Sequence, residues 1–148
     1  MTLSKDKSIG SASVRLSKKL TRFLNGYLKS FNITTEQWSV LRTLNERDHI
    51  TQKELSVRAD KDQATLTKIL DLLEKNKFVE RIKNSTDRRS FIVKITEEGR
   101  ELTEKVLPFL EEIFEKITDQ IEADKLAIYQ EVILSLEESM NSILEGSE

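Results

Sequence analysis

The chain has 148 residues with a net charge of −2, and it contains no cysteine. This length suits one domain, residues 1–148, with a sizeable core, and the lack of cysteine excludes disulfides, cysteine nucleophiles and thiol redox switches. No signal peptide is recognisable and no apolar run approaches the roughly 18 residues that cross a bilayer, so we expect a soluble, cytoplasmic protein without a membrane partner.

The first predicted element is an amphipathic helix over residues 9–31. Its wide apolar stripe must pack either on its own domain or on another chain. A second helix should run from about Thr34 to Glu46, because Thr34 and Gln37 have the spacing of a capping box. Trp38 lies in this helix, and packing in the core is favoured for it over stacking on a ligand.

The next two predicted helices are short and closely spaced. Thr51 is expected to cap the first, with Glu54 as its reciprocal partner in a capping box, and this helix should end near Ala59. About three residues later, Asp62 is expected to cap a helix over residues 63–76, whose apolar side chains recur at helical spacing. A break of this length is typical of a helix-turn-helix.

The polar face of the second of these helices is predicted to approach DNA. Its side chains are short or flexible, so they can reach base edges and phosphates without steric conflict. An ordinary amphipathic helix with a solvated face has the same pattern. The candidate DNA-binding residues of this helix are Gln63, Ala64, Thr65, Thr67 and Lys68.

Two short segments rich in Phe, Val and Ile, residues 78–83 and 91–95, predict a β-hairpin. Adjacent arginines at its tip suit a narrow minor groove of high negative potential, and Asp87 could hold the guanidinium of Arg89. A solvated turn with a local ion pair is the alternative. The candidate DNA-binding residues of the hairpin are Lys83, Asp87, Arg88 and Arg89.

Charge is distributed unevenly along the chain. Residues 1–57 hold 10 basic and 5 acidic side chains, residues 58–96 hold 10 and 6, and residues 97–148 hold 4 and 15. A basic part joined to an acidic part can steer one face of the protein toward phosphates. Acidic helices also simply aid solubility, which explains the last segment but not the basic excess of the first two.

Together these motifs resemble the winged-helix signature of the MarR family of bacterial transcriptional regulators. The resemblance extends over nearly the whole chain, but Lys77 stands where the family usually has Gly after the recognition helix. We expect Asn76 to adopt the left-handed backbone there instead. The motifs are Leu73-Glu74-Lys75, Phe78-Val79-Glu80-Arg81, Asp87-Arg88-Arg89 and Ile95-Thr96-Glu97-Glu98-Gly99.

The predicted fold is therefore mainly α with a small β-hairpin wing. Apolar residues continue at helical spacing after the wing, and Pro108 should kink the helix or end a first segment of it. The winged helix-turn-helix spans residues 33–96 (helix-turn-helix about 51–76, wing about 78–96), and helices over residues 9–31 and 97–146 flank it as a dimerisation part.

The family resemblance implies a homodimer that binds a double-stranded, pseudo-palindromic DNA operator and represses transcription. It also implies a small aromatic or amphipathic effector between the dimerisation helices and the winged helix. Phe23, Tyr27, Phe31 and Trp38 are candidate walls of such a pocket, although residues of this kind are more often plain core. A winged-helix protein-interaction module without specific DNA binding is the alternative. The sequence has no nucleophile–base pair, phosphate loop or metal-ligand cluster, so we expect no enzyme activity, metal or cofactor.

Overall fold

The computed structural model describes residues 2–146, which form two compact units, one ending at Leu107 and the other beginning at Pro108. The predicted fold class is confirmed: six α-helices accompany a small antiparallel sheet in the described chain. No helix within residues 2–146 is long and apolar enough to cross a membrane. The elements are α1 (Ala12–Leu28), α2 (Thr35–Glu46), β1 (Ile50–Thr51), α3 (Gln52–Arg58), α4 (Gln63–Lys75), β2 (Val79–Lys83), β3 (Phe91–Ile95), α5 (Glu97–Thr118) and α6 (Ala123–Gly146).

The first predicted helix is longer than expected and changes type along its length. A π-helical stretch, Asp6–Ser11, precedes α1, and a 3₁₀ turn, Lys29–Phe31, follows it. Asn32 ends the element with a φ of 58°, in the left-handed region. Among the described residues of α1, only Leu28 is buried. The apolar stripe predicted from the sequence is therefore only partly covered: Leu20 and Leu24 are half-buried, while Leu16, Phe23 and Tyr27 are exposed.

Helix α2 begins with the predicted capping box. The Thr34 hydroxyl accepts a hydrogen bond from the Gln37 backbone N–H (3.2 Å), and the Gln37 side chain accepts one from the Thr34 N–H (3.0 Å). Two backbone N–H groups that have no partner inside the helix thus gain a hydrogen bond. Trp38 is buried, as favoured from the sequence.

At Thr51 only half of the predicted capping box forms. The Thr51 hydroxyl accepts from the Glu54 N–H at 3.1 Å, but the Glu54 carboxylate pairs with Arg58 Nε at 3.3 Å instead of returning to Thr51. An i, i+4 ion pair on an exposed surface is an available alternative for this carboxylate. The bounds of α3 nevertheless agree with the prediction.

The sheet contains one strand more than the predicted hairpin. Strand β3 lies at its centre, between β1 and β2, and both neighbours are antiparallel to it. Ile50 pairs with Val93, while Val79 pairs with Ile95. Strand β1 has two residues, too few for an alternating pattern to identify it in the sequence.

One hydrophobic core joins α2, α3, α4 and the sheet. Its members on α4 come from the apolar face that the helical periodicity predicted. Burial of this face fixes α4 to the protein, so the opposite arc of α4 is turned outward. The buried cluster comprises Val40, Leu41, Leu44, Ile50, Leu55, Ala59, Leu66, Ile69, Leu70, Leu73, Val79, Val93 and Ile95.

The expectation that Asn76 adopts the left-handed backbone was wrong. Lys77 itself adopts the left-handed conformation, with a φ of 67°, while Asn76 has a φ of −86°. The N–H groups of Lys77 and Phe78 then donate to the carbonyls of Glu74 and Leu73, which satisfies the end of α4. Of the two alternatives expected at Pro108, a kink or the end of a helical segment, the second does not occur, because α5 continues from Glu97 to Thr118.

Gly99, in the first turn of α5, lies at a tight junction with residues 77 and 78, which precede β2. The Thr96 N–H donates to the Phe78 carbonyl at 3.0 Å, and the Thr96 hydroxyl donates to the Lys77 carbonyl at 2.7 Å. A Cβ atom on Gly99 would lie 2.3 Å from the Phe78 carbonyl oxygen and 2.7 Å from Ile95 Cγ1. The junction therefore requires glycine for space, because the opposing atom is backbone.

Gly99→Ala should consequently destabilise the protein by about 1–3 kcal/mol, the typical cost of overpacking. Urea denaturation at a fixed protein concentration measures this loss. Gly26→Ala is the matched control: a Cβ there meets nothing within 4 Å, so it should be neutral or raise the free energy of unfolding by up to about 1 kcal/mol. Equal stability of the two variants would refute the tight junction.

Candidate nucleic-acid interface

Asp62 caps α4, as predicted. One carboxylate oxygen accepts from the Thr65 backbone N–H at 2.8 Å, and the other accepts from the Thr65 hydroxyl at 2.9 Å. The backbone hydrogen bond, followed by the hydroxyl, holds the pKa of Asp62 below its usual value. An ionised carboxylate at a helix N-terminus also interacts favourably with the helix dipole. The start of α4 is therefore held in place.

The predicted reading residues of α4 differ in how much each exposes. Gln63, Ala64 and Lys68 are exposed, while Thr65 and Thr67 are half-buried. The Thr67 hydroxyl donates to the Gln63 carbonyl at 2.8 Å and accepts from the Gln52 side-chain amide at 2.9 Å. Gln52 was not predicted as part of this surface, because no local pattern connects it with a residue 15 positions later.

Arg81 joins the wing to the recognition helix. Its guanidinium lies 2.6 Å from the Asp71 carboxylate and 3.1 Å from the Glu74 carboxylate, and its backbone N–H donates to Glu74 at 3.1 Å. The hydrogen bond from Arg81 lowers the pKa of Glu74, and the hydrogen bond to Glu74 raises the pKa of Arg81. The Asp71 charge, which lies on the outward arc of α4, is thereby neutralised.

The tip of the wing is shaped by short side chains that bond to nearby backbone. Asn84 accepts from the Thr86 N–H at 3.1 Å, and Asp87 accepts from the Arg89 N–H at 3.0 Å. The Arg89 guanidinium lies 3.6 Å from Asp87, yet its side chain is 94% exposed. Such a solvated pair holds a side chain weakly, so Asp87 acts mainly on the backbone of the turn. Arg88 is exposed too.

Lys83 ends β2 on the rim of the wing. It is exposed and pairs in register with Phe91 across the hairpin. All four predicted wing residues therefore lie in solvent at the same end of the hairpin. They present three cations and one carboxylate.

Asp48 anchors the base of the wing and was missed in the sequence. One of its carboxylate oxygens accepts from the backbone N–H groups of His49 (2.8 Å) and Ile95 (2.9 Å), and the other lies 2.7 Å from Arg100. His49 has a φ of 56° and an exposed side chain. Asp48 thus ties the loop before β1 to the end of β3 and the start of α5. No local motif predicts contacts 47 and 52 residues away.

The residues predicted to line an effector pocket have different environments. Trp38 is a core residue with 4% exposure. Phe23 and Tyr27 are exposed and pack edge to face, with ring centroids 5.0 Å apart, and Phe31 is half-buried. The ring pair of Phe23 and Tyr27 is therefore the accessible aromatic surface of this group.

Comparison with known proteins places this winged helix in a family. The family model described as "MarR family" matches residues 33–91. The chain is 30% identical over 144 residues to the HTH-type transcriptional regulator FarR of Neisseria gonorrhoeae, covering 95% of this chain and 99% of that protein. It is 32% identical over 113 residues to the multiple antibiotic resistance protein MarR of Escherichia coli, covering 76% and 78%.

The fold agrees with solved structures. A crystal structure of a mutant of Escherichia coli MarR, complexed with operator DNA, superposes with a TM-score of 0.82 at 28% identity, covering 91% of this chain and 99% of that chain. The fold and the outward-facing helix define a winged helix-turn-helix protein. The chain belongs to the MarR family. Of the two relatives named above, one is a transcriptional regulator and the other is a multiple antibiotic resistance protein.

The pairing of Arg81 predicts a pH-dependent contribution of Glu74 to stability. A depressed pKa stabilises the folded state above the ordinary value of 4.5, and this stabilisation is lost as pH falls through the lower, folded pKa. Glu74→Gln should therefore be less stable than wild type at pH 7, by less than about 1 kcal/mol because the pair is exposed.

Urea denaturation at pH values from 7 to 3 checks this expectation. The stability difference between wild type and Glu74→Gln should shrink toward the acidic end. Glu104→Gln is a control, since Glu104 is exposed within α5 beyond its first turn and forms no ion pair within the described residues. A difference that stays constant with pH would contradict the assignment.

Proposed function

We propose that this protein is a homodimeric, DNA-binding transcriptional repressor that recognises a pseudo-palindromic operator through α4 and the wing. The observation that supports this proposal most is that Arg81 of β2 is bonded to Asp71 and Glu74 of α4, which anchors the wing to the helix. Two potential DNA-contacting elements are therefore held in one fixed relation. Membership of the MarR family and likeness to a structure complexed with operator DNA support it.

In the proposed complex, α4 lies in the major groove and the wing lies against the adjacent minor groove. Gln63 and Lys68 have exposed side chains of suitable length for base edges and phosphates. Arg88 and Arg89 extend from the wing tip into solvent, where a narrow minor groove would attract them. The excess of basic over acidic side chains in residues 1–96 would attract this part of the protein to phosphates.

Exposed apolar side chains support a homodimer. Helix α1 exposes Leu16, Phe23 and Tyr27 by 41–48%. None of the described residues of α6 is buried, and that helix exposes Ile143 by 71% and Leu144 by 65%. Faces this apolar are costly in water, so association with a second copy would cover them. A two-fold protein then meets a two-fold operator.

We also propose that a small aromatic or amphipathic molecule controls DNA binding. The exposed ring pair of Phe23 and Tyr27 offers an aromatic surface, with Phe31 nearby in sequence. To change the ratio of non-binding to DNA-binding molecules from 1:99 to 99:1, the ligand must bind the non-binding state more favourably by about 5.5 kcal/mol. The proposed contacts must therefore form in one state and be lost in the other.

A winged-helix protein-interaction module is the second reading, and salt dependence of DNA binding separates the two. Neutralising phosphates with Lys and Arg releases counterions, so affinity for DNA should fall steeply as salt rises. Fluorescence anisotropy with a duplex selected from a random DNA library measures it. Affinity that stays flat with salt, or selection that yields no bound duplex, would favour the protein-interaction module.

Arg89→Ala should weaken binding to the selected duplex by about tenfold per half-site, as expected for loss of a charge-assisted hydrogen bond. It should also reduce the slope of log affinity against log salt by about 1 per half-site. Lys75→Ala, near the far end of α4, is the matched control and should cost less. If Arg89→Ala binds like wild type, the wing makes no contribution to binding.

Ile143→Gln should weaken self-association and, with it, affinity for the full operator, because it removes an exposed apolar side chain from α6. Sedimentation velocity measures the association. Leu72→Gln is the control: Leu72 is 50% exposed in α4 and should leave self-association unchanged. An unaltered dimer in the Ile143 variant would remove this part of α6 from the interface.

A further inference from the structure

The outward arc of α4 carries several polar residues, but some of their hydrogen-bonding groups already have partners within the protein and are not available to bases. Ala64, Thr67, Lys68 and Asp71 share this arc, since their spacing follows the helical repeat. The Asp71 carboxylate is paired with Arg81 at 2.6 Å. Ala64 and Thr67 are adjacent on the arc, and the Lys68 and Gln63 side chains flank them.

Neither threonine of this helix has a hydroxyl proton free for DNA. A hydroxyl carries one proton. The Thr67 proton goes to the Gln63 carbonyl at 2.8 Å, and the Thr65 proton goes to the Asp62 carboxylate at 2.9 Å. Gln52 also donates to the Thr67 oxygen at 2.9 Å, which occupies one of its two acceptor positions. Donation to a base would first require one of these internal bonds to break.

Besides one acceptor position on its oxygen, Thr67 has its methyl group left to present, on the same arc as the exposed methyl of Ala64. Among the four bases, only thymine carries a methyl group in the major groove, and side-chain methyls of Ala and Thr are known to contact it. We infer that Ala64 and Thr67 form an apolar reader of a thymine 5-methyl group. This inference rests on the proposed function, since it requires α4 to enter the major groove.

Gln52 acts here as a positioning residue. Its amide holds the Thr67 hydroxyl from the side of α3, and the Gln63 carbonyl holds it from within α4. With the oxygen fixed by two partners, the threonine side chain has one rotamer, so its methyl has one direction. A methyl in a fixed position distinguishes thymine from cytosine, where a freely rotating hydroxyl would accept either base.

The test replaces single thymines by uracil, which removes the 5-methyl group and keeps the hydrogen-bonding pattern. The probe is the duplex selected by the full-length protein, and anisotropy gives its affinity. One thymine per half-site should respond, with about fourfold weaker binding for one methyl lost and roughly fifteenfold for both half-sites. Substitution at thymines elsewhere in the duplex should change little.

Thr67→Ser identifies the reader, because serine retains the hydroxyl and its two partners and lacks only the methyl. It should bind the thymine duplex up to about fourfold more weakly per half-site, and it should distinguish thymine from uracil less than wild type does, since only the Ala64 methyl remains. Thr65→Ser makes the same chemical change on the flank of the arc and should retain the distinction. Thermal denaturation confirms that both variants fold.

Two results would overturn the inference while leaving the proposed function intact. In the first, every thymine of a tightly bound duplex can be replaced by uracil without loss. In the second, one thymine responds, but Thr67→Ser discriminates as wild type does. Failure to select any duplex is a different outcome, which counts against DNA binding itself.

Discussion

The relation between the recognition helix and the wing depends on Arg81. This side chain is only 18% exposed, and it lies between two carboxylates of α4 that are themselves largely open to solvent. An ion pair between fully exposed groups contributes little, but a partly buried guanidinium with several charge-assisted hydrogen bonds is restricted in direction as well as attracted. Because Arg81 belongs to β2, its contacts set where the hairpin leaves the helix. They also neutralise the charge of Asp71 on the outward arc of α4, which is proposed to meet DNA.

Other contacts restrict the same region from different sides. Asp48 binds the end of β3 and Arg100, and Thr96 binds the chain entering β2 through two hydrogen bonds. The contact at Gly99 allows α5 to begin against this chain without a side chain between them. The base of the wing is thus fixed by backbone and buried groups, while its tip carries solvated arginines. Such an arrangement combines a rigid scaffold with side chains that can adapt to a groove.

The proposed recognition of thymine follows from polar groups of α4 that already have hydrogen-bond partners within the protein. A hydroxyl that stabilises the protein internally cannot donate the same proton to a base, so a polar residue in the sequence can present an apolar surface in the structure. In the proposed complex, specificity would arise both from Gln63 and Lys68 and from methyl groups. The two kinds of contact distinguish different features of a base pair.

The sequence by itself determined the helices, the caps at Thr34 and Asp62 and the wing, because helical periodicity, capping and turn chemistry act over a few residues. It also identified the exposed Gln63, Ala64 and Lys68 of α4 and the exposed residues of the wing tip, whereas Thr65 and Thr67 are half-buried. The tertiary structure decided the contacts of Arg81, Asp48 and Gln52, which join residues 10, 47 and 15 positions apart. It also decided the left-handed backbone of Lys77, the short strand β1 and the commitment of the threonine hydroxyls. No local pattern encodes these features, because each depends on which distant groups the fold brings together.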